Sequence, residues 1–224
     1  DAKTAIFCWG MGITQHRNGT ANVHMLANLM LARGHIGRPG AGLAPIRGHS
    51  NVQGDRTMGI NERPSPKLLD SLDRVFGIKS PREHGFGVVD TIKAMYEGGV
   101  KVFIGLGGNF AVATPDTPYT QEGLRRCDLT VQIATKLNRS HLVCGKEALL
   151  LPCLGRTEID MQQHGPQAVS VEDSMSNVHL SAGRNEPASK NLLSEPDIVA
   201  RMAAAVLPDS DITVSYTHLT LPTR

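Results

Sequence analysis

The sequence predicts an α/β protein built of mostly parallel, Rossmann-like sheets with flanking helices. Short apolar runs alternate with helical periodicities, both glycine-rich turns follow such runs, and 40% hydrophobic content over 224 residues is enough for a real core. Ala5, Ile6, Phe7, Cys8 and Trp9 read as a buried strand closed by the tight turn Gly10, Met11, Gly12. Val23, Leu26, Ala27 and Met30 then recur at helical spacing, with Asn18 or Thr20 as caps and Gly34 or Gly37, ahead of Pro39, as the stop. From Pro39 to Pro66 glycine and proline recur without apolar period, so a long irregular connection is expected.

Leu68, Leu69, Leu72, Val75 and Phe76 predict a helix, and Val89 to Glu97 another, with Ile92 and Met95 or Tyr96 on one face and Gly98 and Gly99 as its end. Val100 to Ile104 is a strand leading into Gly105, Leu106, Gly107, Gly108 and Asn109. Thr120 to Arg126 is a short helix and Leu129 to Ile133 a further strand. In such an alternation, ligands sit at the carboxyl ends of the strands, where both glycine turns lie. Beyond Pro152 apolar density thins, and Asp160 to Pro187 reads as a segment following the surface. Ile198 to Val206 is the last predicted helix. Val214 to Arg224 continues no pattern, resembles a translated sequencing-adapter tail, and is set aside.

Charge and composition exclude several functions. A net charge of +2 and 4% aromatic residues provide neither a basic run nor a stacking platform, so no nucleic-acid partner is expected. No stretch approaches the ~18 apolar residues of a membrane span, so no membrane insertion is expected. Cys8, Cys127, Cys144 and Cys153 form no Cys-x-x-Cys pair and no cluster with histidine. They read as separate thiols in a reducing, cytoplasmic setting.

Three segments carry chemistry. Pro45 to Gly54 packs Arg47, Gly48, His49, Ser50, Asn51, Gln53 and Gly54 into a stretch too polar for a core element and reads as a ligand-holding loop. Arg47 suits a phosphate or carboxylate, and Asn51 and Gln53 can each donate and accept toward a heterocycle. Gly10, Gly12, Gln15 and His16 follow the first strand, where main-chain amides bind phosphate, but the spacing is not G-x-G-x-x-G. Gly105, Gly107, Gly108 and Asn109 repeat the arrangement, with Asp116 downstream as either a guanine-binding carboxylate or a helix start. His16, His49, His84 and His164 fall in loops, and no metal triad is evident.

Taken together, Gly10 to His16, the helix end Gly34 to Gly40, Pro45 to Gly54, Met58 with Gly59, and Gly107 to Asp116 resemble the large subunit of molybdopterin oxidoreductases. More narrowly they resemble its formate-dehydrogenase-like alpha-subunit branch, over roughly residues 4 to 205. Arg38, Pro39 and Gly40 followed by Arg47, Gly48 and Asn51 to Gly54 carry most of the likeness.

The resemblance implies two pseudo-symmetric Rossmann-like subdomains, each binding one molybdopterin guanine dinucleotide, with molybdenum between the pterins. Gly12, Gln15 and His16 would lie along one dinucleotide, and Gly107, Gly108, Asn109 and Asp116 along the other. Arg47, Gly48, Asn51, Gln53 and Gly54 would sit near the pterin and metal. Arg47 takes the place of an arginine that binds the formate carboxylate, while His49 stands where well-studied formate dehydrogenases have glutamine. Arg47 and His49 are therefore the expected catalytic residues.

Residues 1–54 would end one subdomain and 55–152 form much of the second. Residues 153–210 would be an extended segment with a helix of the same catalytic region, and 211–224 the tail. The molybdenum ligand and a 4Fe-4S cluster of the full-length protein are expected upstream of Asp1, so no metal ligand is assigned. The implied function is two-electron oxidation or reduction of a small-molecule substrate, formate to carbon dioxide first, with an electron-transfer partner protein. The rivals are an NAD(P)-dependent dehydrogenase and a non-enzymatic nucleotide-binding module.

Overall fold

The computed structural model describes residues 2–46, 48–49, 51–57, 59–163, 165–173 and 177–206. The predicted tail, Arg47, Ser50, Met58 and His164 lie outside the described residues. The chain divides after Gln53 into two compact units, the first also taking in Glu172–Asn177.

The first unit is a strand–helix–strand. β1 (Ile6–Trp9) leads through the one-turn α1 (Met11–Thr14) into α2 (Gly19–Ala32), and β2 (Gly42–Pro45) returns parallel to β1 with Ile6 opposite Gly42 and Trp9 opposite Pro45. Parallel strands require such a crossover, and the pairing of Pro45 is tolerated because β2 has an unpaired edge. α2 stops at Gly34, whose φ of +63° a side chain would resist, and His35 N–H donates to Met30 O at 2.9 Å. Met30 is fully buried.

Two expectations are corrected in this part of the chain. β1 is not a buried strand: Ile6 and Cys8 are exposed and Phe7 and Trp9 half-buried, the alternation of a two-stranded sheet covered on one face. Nor is the stretch from Pro39 to Pro66 irregular throughout. It contains β2 and α3 (Val52–Thr57), so Gln53 and Gly54 are helical rather than loop residues. Pairing with β1 and the local hydrogen bonds of one helical turn, neither visible as apolar period, decide these elements.

In the second unit α4 (Pro66–Phe76) starts where Ser65 Oγ accepts from Leu68 N–H at 3.3 Å, with Pro66 in the first turn, and ends at Gly77 with φ +64°. α5 (Val88–Tyr96), β3 (Val102–Leu106), α6 (Phe110–Ala113), α7 (Thr117–Arg126), β4 (Leu129–Ala134), a 3-10 turn (Arg139–Leu142) and β5 (Glu147–Pro152) follow. The sheet has the order β3-β4-β5 and is parallel throughout, with Gly105 opposite Gln132 and Gln132 opposite Leu150. This alternation with a parallel sheet is the α/β fold that the sequence predicts.

Both faces of that sheet are covered. Phe103 packs with Ile92, Met95, Ala111, Leu124, Cys127 and Val143, while Val131 and Ile133, one residue out of phase on β4, pack with Cys153, Leu193 and Ile198. α8 (Glu195–Val206) thus covers the face opposite α5 and α7. The strand beginning at Val100 in the sequence reading begins at Val102. α7 begins three residues earlier than the apolar pattern shows, because Asp116 caps it.

The segment from Asp160 to Pro187 contains short strands: β6 (Asp160–Gln162) pairs antiparallel with β7 (Gly165–Gln167), and β8 (Val169–Glu172) and β9 (Val178–Ser181) form a second two-stranded sheet. No helix among the described residues is long and apolar enough to cross a membrane.

Candidate functional site

In the first unit the carboxyl ends of β1 and β2 open onto a cleft of about 460 Å³. Trp9 at the end of β1, with Gly10 and Met11 at the start of α1, lines one side, Ile46, Gly48 and His49 come from the segment after β2, and Val52 and Gln53 from α3. Strand order brings these sets together, since two parallel neighbours deliver their carboxyl ends to the same side. Apolar walls of Trp9, Met11, Ile46 and Val52, with His49 and Gln53 among them, suit a flat heterocycle carrying polar edges. At Gly48 a Cβ would meet the terminal Cε of Met11 at 2.9 Å, so a side chain there would need the flexible end of Met11 to shift.

Gly12, Gln15, His16, Asn51 and Gly54, also predicted for this end, are not among the residues lining the cleft. Gly12 lies in α1 with nothing within 4 Å of a Cβ position. Gln15 Nε2 is 3.2 Å from Met11 Sδ. His16 faces Asn18 N–H through Nδ1 (3.2 Å) and Asn22 Nδ2 through Nε2 (3.0 Å), so its ring is engaged at the start of α2. Asn51 Oδ1 accepts from Glu172 N–H at 2.9 Å, a structural contact within this unit. Gly54 falls in the second unit, inside α3, and Arg47 is outside the described residues.

The second unit holds the other glycine turn, at the carboxyl end of β3. Gly107 and Gly108 have φ of +68° and +71°, a backbone that L side chains resist. Gly107 N–H donates to Ile133 O at 2.8 Å, fastening the turn to β4. Gly108 N–H and Asn109 N–H have no partner among the described residues. Two adjacent unpaired amides at a strand's carboxyl end are a fitting cradle for an anionic diphosphate. Lys136 and Arg139, exposed on the connection after β4, add positive charge to the same loop cluster.

Asp116 is the described non-glycine residue with positive φ, +53°, and its Oδ1 accepts from Tyr119 N–H at 3.2 Å as the N-cap of α7. Of the two roles read from the sequence, the helix start is the one visible in its hydrogen bonds.

The sequence reading missed Asn138, Ser140 and Glu195. Asn138 Nδ2 donates to Gly108 O at 2.7 Å, and Ser140 Oγ donates to Asn109 Oδ1 at 3.0 Å. Asn138 had a local signal, an N-cap residue before a short turn. Glu195 had none: only the docking of α8 brings its Oε1 within 3.5 Å of a Cβ position on Gly107.

Burial pushes the thiols of Cys127 and Cys153 above the ordinary value of 9.0, at Cys153 with help from Glu195 and Glu158. The four cysteines are unpaired, and no group of three His, Cys, Asp or Glu side chains converges among the described residues.

Residues 1–142 match the molybdopterin oxidoreductase family, more than half of the chain. This chain belongs to that family. Over 205 residues, 92% of its length, it is 56% identical to an uncharacterized oxidoreductase of Mycobacterium tuberculosis, covering 26% of that protein. It is 50% identical over 215 residues, 96% of its length, to the protein YdeP of Escherichia coli, covering 28% of YdeP. A more distant similarity, 30% over 139 residues (58% of this chain), is to YrhE of Bacillus subtilis, whose name assigns it to the formate dehydrogenases by inference; 14% of YrhE is covered. This molybdopterin oxidoreductase chain spans about a quarter of the length of the first two of these curated relatives. The family implies a molybdopterin cofactor, and the glycine turn with its unpaired amides and the apolar cleft fit the parts of such a group.

Proposed function

We propose that this chain contributes dinucleotide-binding and substrate-side segments to a molybdenum bis-molybdopterin guanine dinucleotide oxidoreductase that oxidises or reduces a small molecule by two electrons. The observation that carries the reading is the pair of unpaired amides at Gly108 and Asn109 on a parallel strand end, in a chain of this family. The bound cofactor supplies the electron acceptor. The main-chain amides of Gly108 and Asn109 bind a diphosphate, and the cleft of Trp9, Gly48, His49 and Gln53 receives a heterocycle.

Formate is the first substrate to test, on the strength of the resemblance and of the name YrhE carries. Conversion of formate to carbon dioxide releases one proton and two electrons. His49, which lines the cleft, is the proton acceptor, and the guanidinium of Arg47 is the group chemically suited to neutralise the carboxylate. A partner protein would accept the electrons, and an iron–sulfur cluster of the full-length enzyme would supply one-electron transfer toward it. The separate, unpaired cysteines suit a cytoplasmic setting.

Metal and nucleotide analysis of the full-length protein tests this. Molybdenum or tungsten near one per chain, with guanine nucleotide released on acid hydrolysis, is the expected result. A metal-free protein that copurifies with NAD or NADP would replace it with the dehydrogenase reading, and a metal-free protein binding another nucleotide with the regulatory one.

A further inference from the structure

The Gly107–Asn109 turn is held from outside by a closed set of hydrogen bonds. Asn138 uses both ends of its carboxamide: Nδ2 donates to Gly108 O at 2.7 Å, and Oδ1 accepts from Ser140 N–H at 2.9 Å. Rotating that amide would set oxygen against oxygen at Gly108, so the orientation is fixed by its partners. Ser140, 1% exposed, donates its one hydroxyl hydrogen to Asn109 Oδ1 at 3.0 Å and accepts from Ala111 N–H at 2.9 Å. Asn109 Nδ2 is thereby left with no partner among the described residues, beside the unpaired amides of Gly108 and Asn109.

We propose that Asn138 and Ser140 are positioning residues that preset this turn as a donor group for a diphosphate. The inference rests on the dinucleotide reading above. Two successive glycines have access to both hands of backbone conformation, so a free turn would have to be ordered by the ligand at the ligand's expense. The Asn138 bond to Gly108 O removes that freedom in advance. The Ser140 bond to Asn109 Oδ1 turns the amide nitrogen, not the oxygen, toward an anion.

The test uses the full-length protein produced free of cofactor, with GDP and GMP as probes. Asn138→Ser keeps a good N-cap for the 3-10 turn but is too short to reach Gly108 O. The expected result is a three- to tenfold loss of GDP affinity, about what one lost hydrogen bond is worth. GMP affinity should fall less, amide exchange at Gly107, whose N–H is bonded to Ile133 O, should quicken, and the unfolding transition should be unchanged.

Asn138→Asp, which also keeps the cap and loses the donor, should move GDP affinity in the same direction. It stands in if the serine variant does not fold. An unchanged ratio of GDP to GMP affinity in the folded variant overturns the positioning role, because a merely structural residue would weaken both equally. Wild-type protein that binds neither nucleotide overturns instead the dinucleotide reading.

Discussion

Gln132 occupies the space that a side chain on Gly105 would need: its Oε1 lies 2.6 Å from an ideal Cβ on the residue directly opposite it across the β3–β4 pairing. Gln132 is 4% exposed, and its Nε2 has no partner among the described residues. The carboxamide therefore has little room to retreat.

Gly105→Ala is accordingly expected to destabilise the protein by about 1–3 kcal/mol, the usual cost of forcing extra volume into a packed site. Gln132→Ala opens a cavity and is destabilising as well. The double variant should be more stable than the sum of the single effects, because each change relieves the other's clash or void. Denaturant midpoints of the four proteins measure this coupling, and strict additivity would refute the contact.

Asp116 gives a second test of stability. It combines an N-cap bond to Tyr119 N–H with a φ of +53°, so Asp116→Ala loses the cap and strains the backbone, at about 1–2 kcal/mol. Asp116→Asn keeps both features and should be nearly neutral. If Asp116 also binds guanine, Asp116→Asn keeps its stability but loses nucleotide affinity. Thermal unfolding and GDP titration of the same variant separate the two roles.

Asp73 links stability to pH. Hydrogen bonds from Ser80, followed by the charge of Arg82, hold its carboxyl below the ordinary value of 3.8. A carboxyl with a depressed pKa in the folded protein favours folding above its unfolded value, and the benefit disappears as pH falls through the folded one. Asp73→Asn should therefore lose stability at neutral pH relative to the wild type and converge with it below pH 3.8. Chemical denaturation at neutral and acid pH checks the sign, and a difference that widens on acidification would contradict it.

Arg47→Lys is expected to lower kcat/KM of the full-length enzyme by on the order of 2 kcal/mol, about thirtyfold, because an ammonium cannot reproduce the guanidinium fork on a carboxylate. Steady-state kinetics with formate provide the measurement. Catalytic efficiency equal to the wild type would remove Arg47 from the active site.

By itself, the sequence determined the α/β class and the helices of strongest period. Met30 on α2 and Ile92 and Met95 on α5 are buried, as spacing requires, because a helix can cover a sheet only with residues of one face. It also marked the glycine turn after β3, since Gly107 and Gly108 adopt a backbone that only glycine takes cheaply, whereas the expected tight turn at Gly10 to Gly12 is the start of the one-turn helix α1.

Tertiary structure decided the rest. β2 has no apolar alternation and exists because Leu43 and Ala44 find Phe7 and Cys8 as partners. Gly48, His49 and Gln53 meet Trp9 and Met11 only because two parallel strands end side by side. Asn138 reaches Gly108 across 30 residues of chain because β3 and β4 are neighbours. Such meetings depend on strand order and docking, which no local pattern of residues encodes.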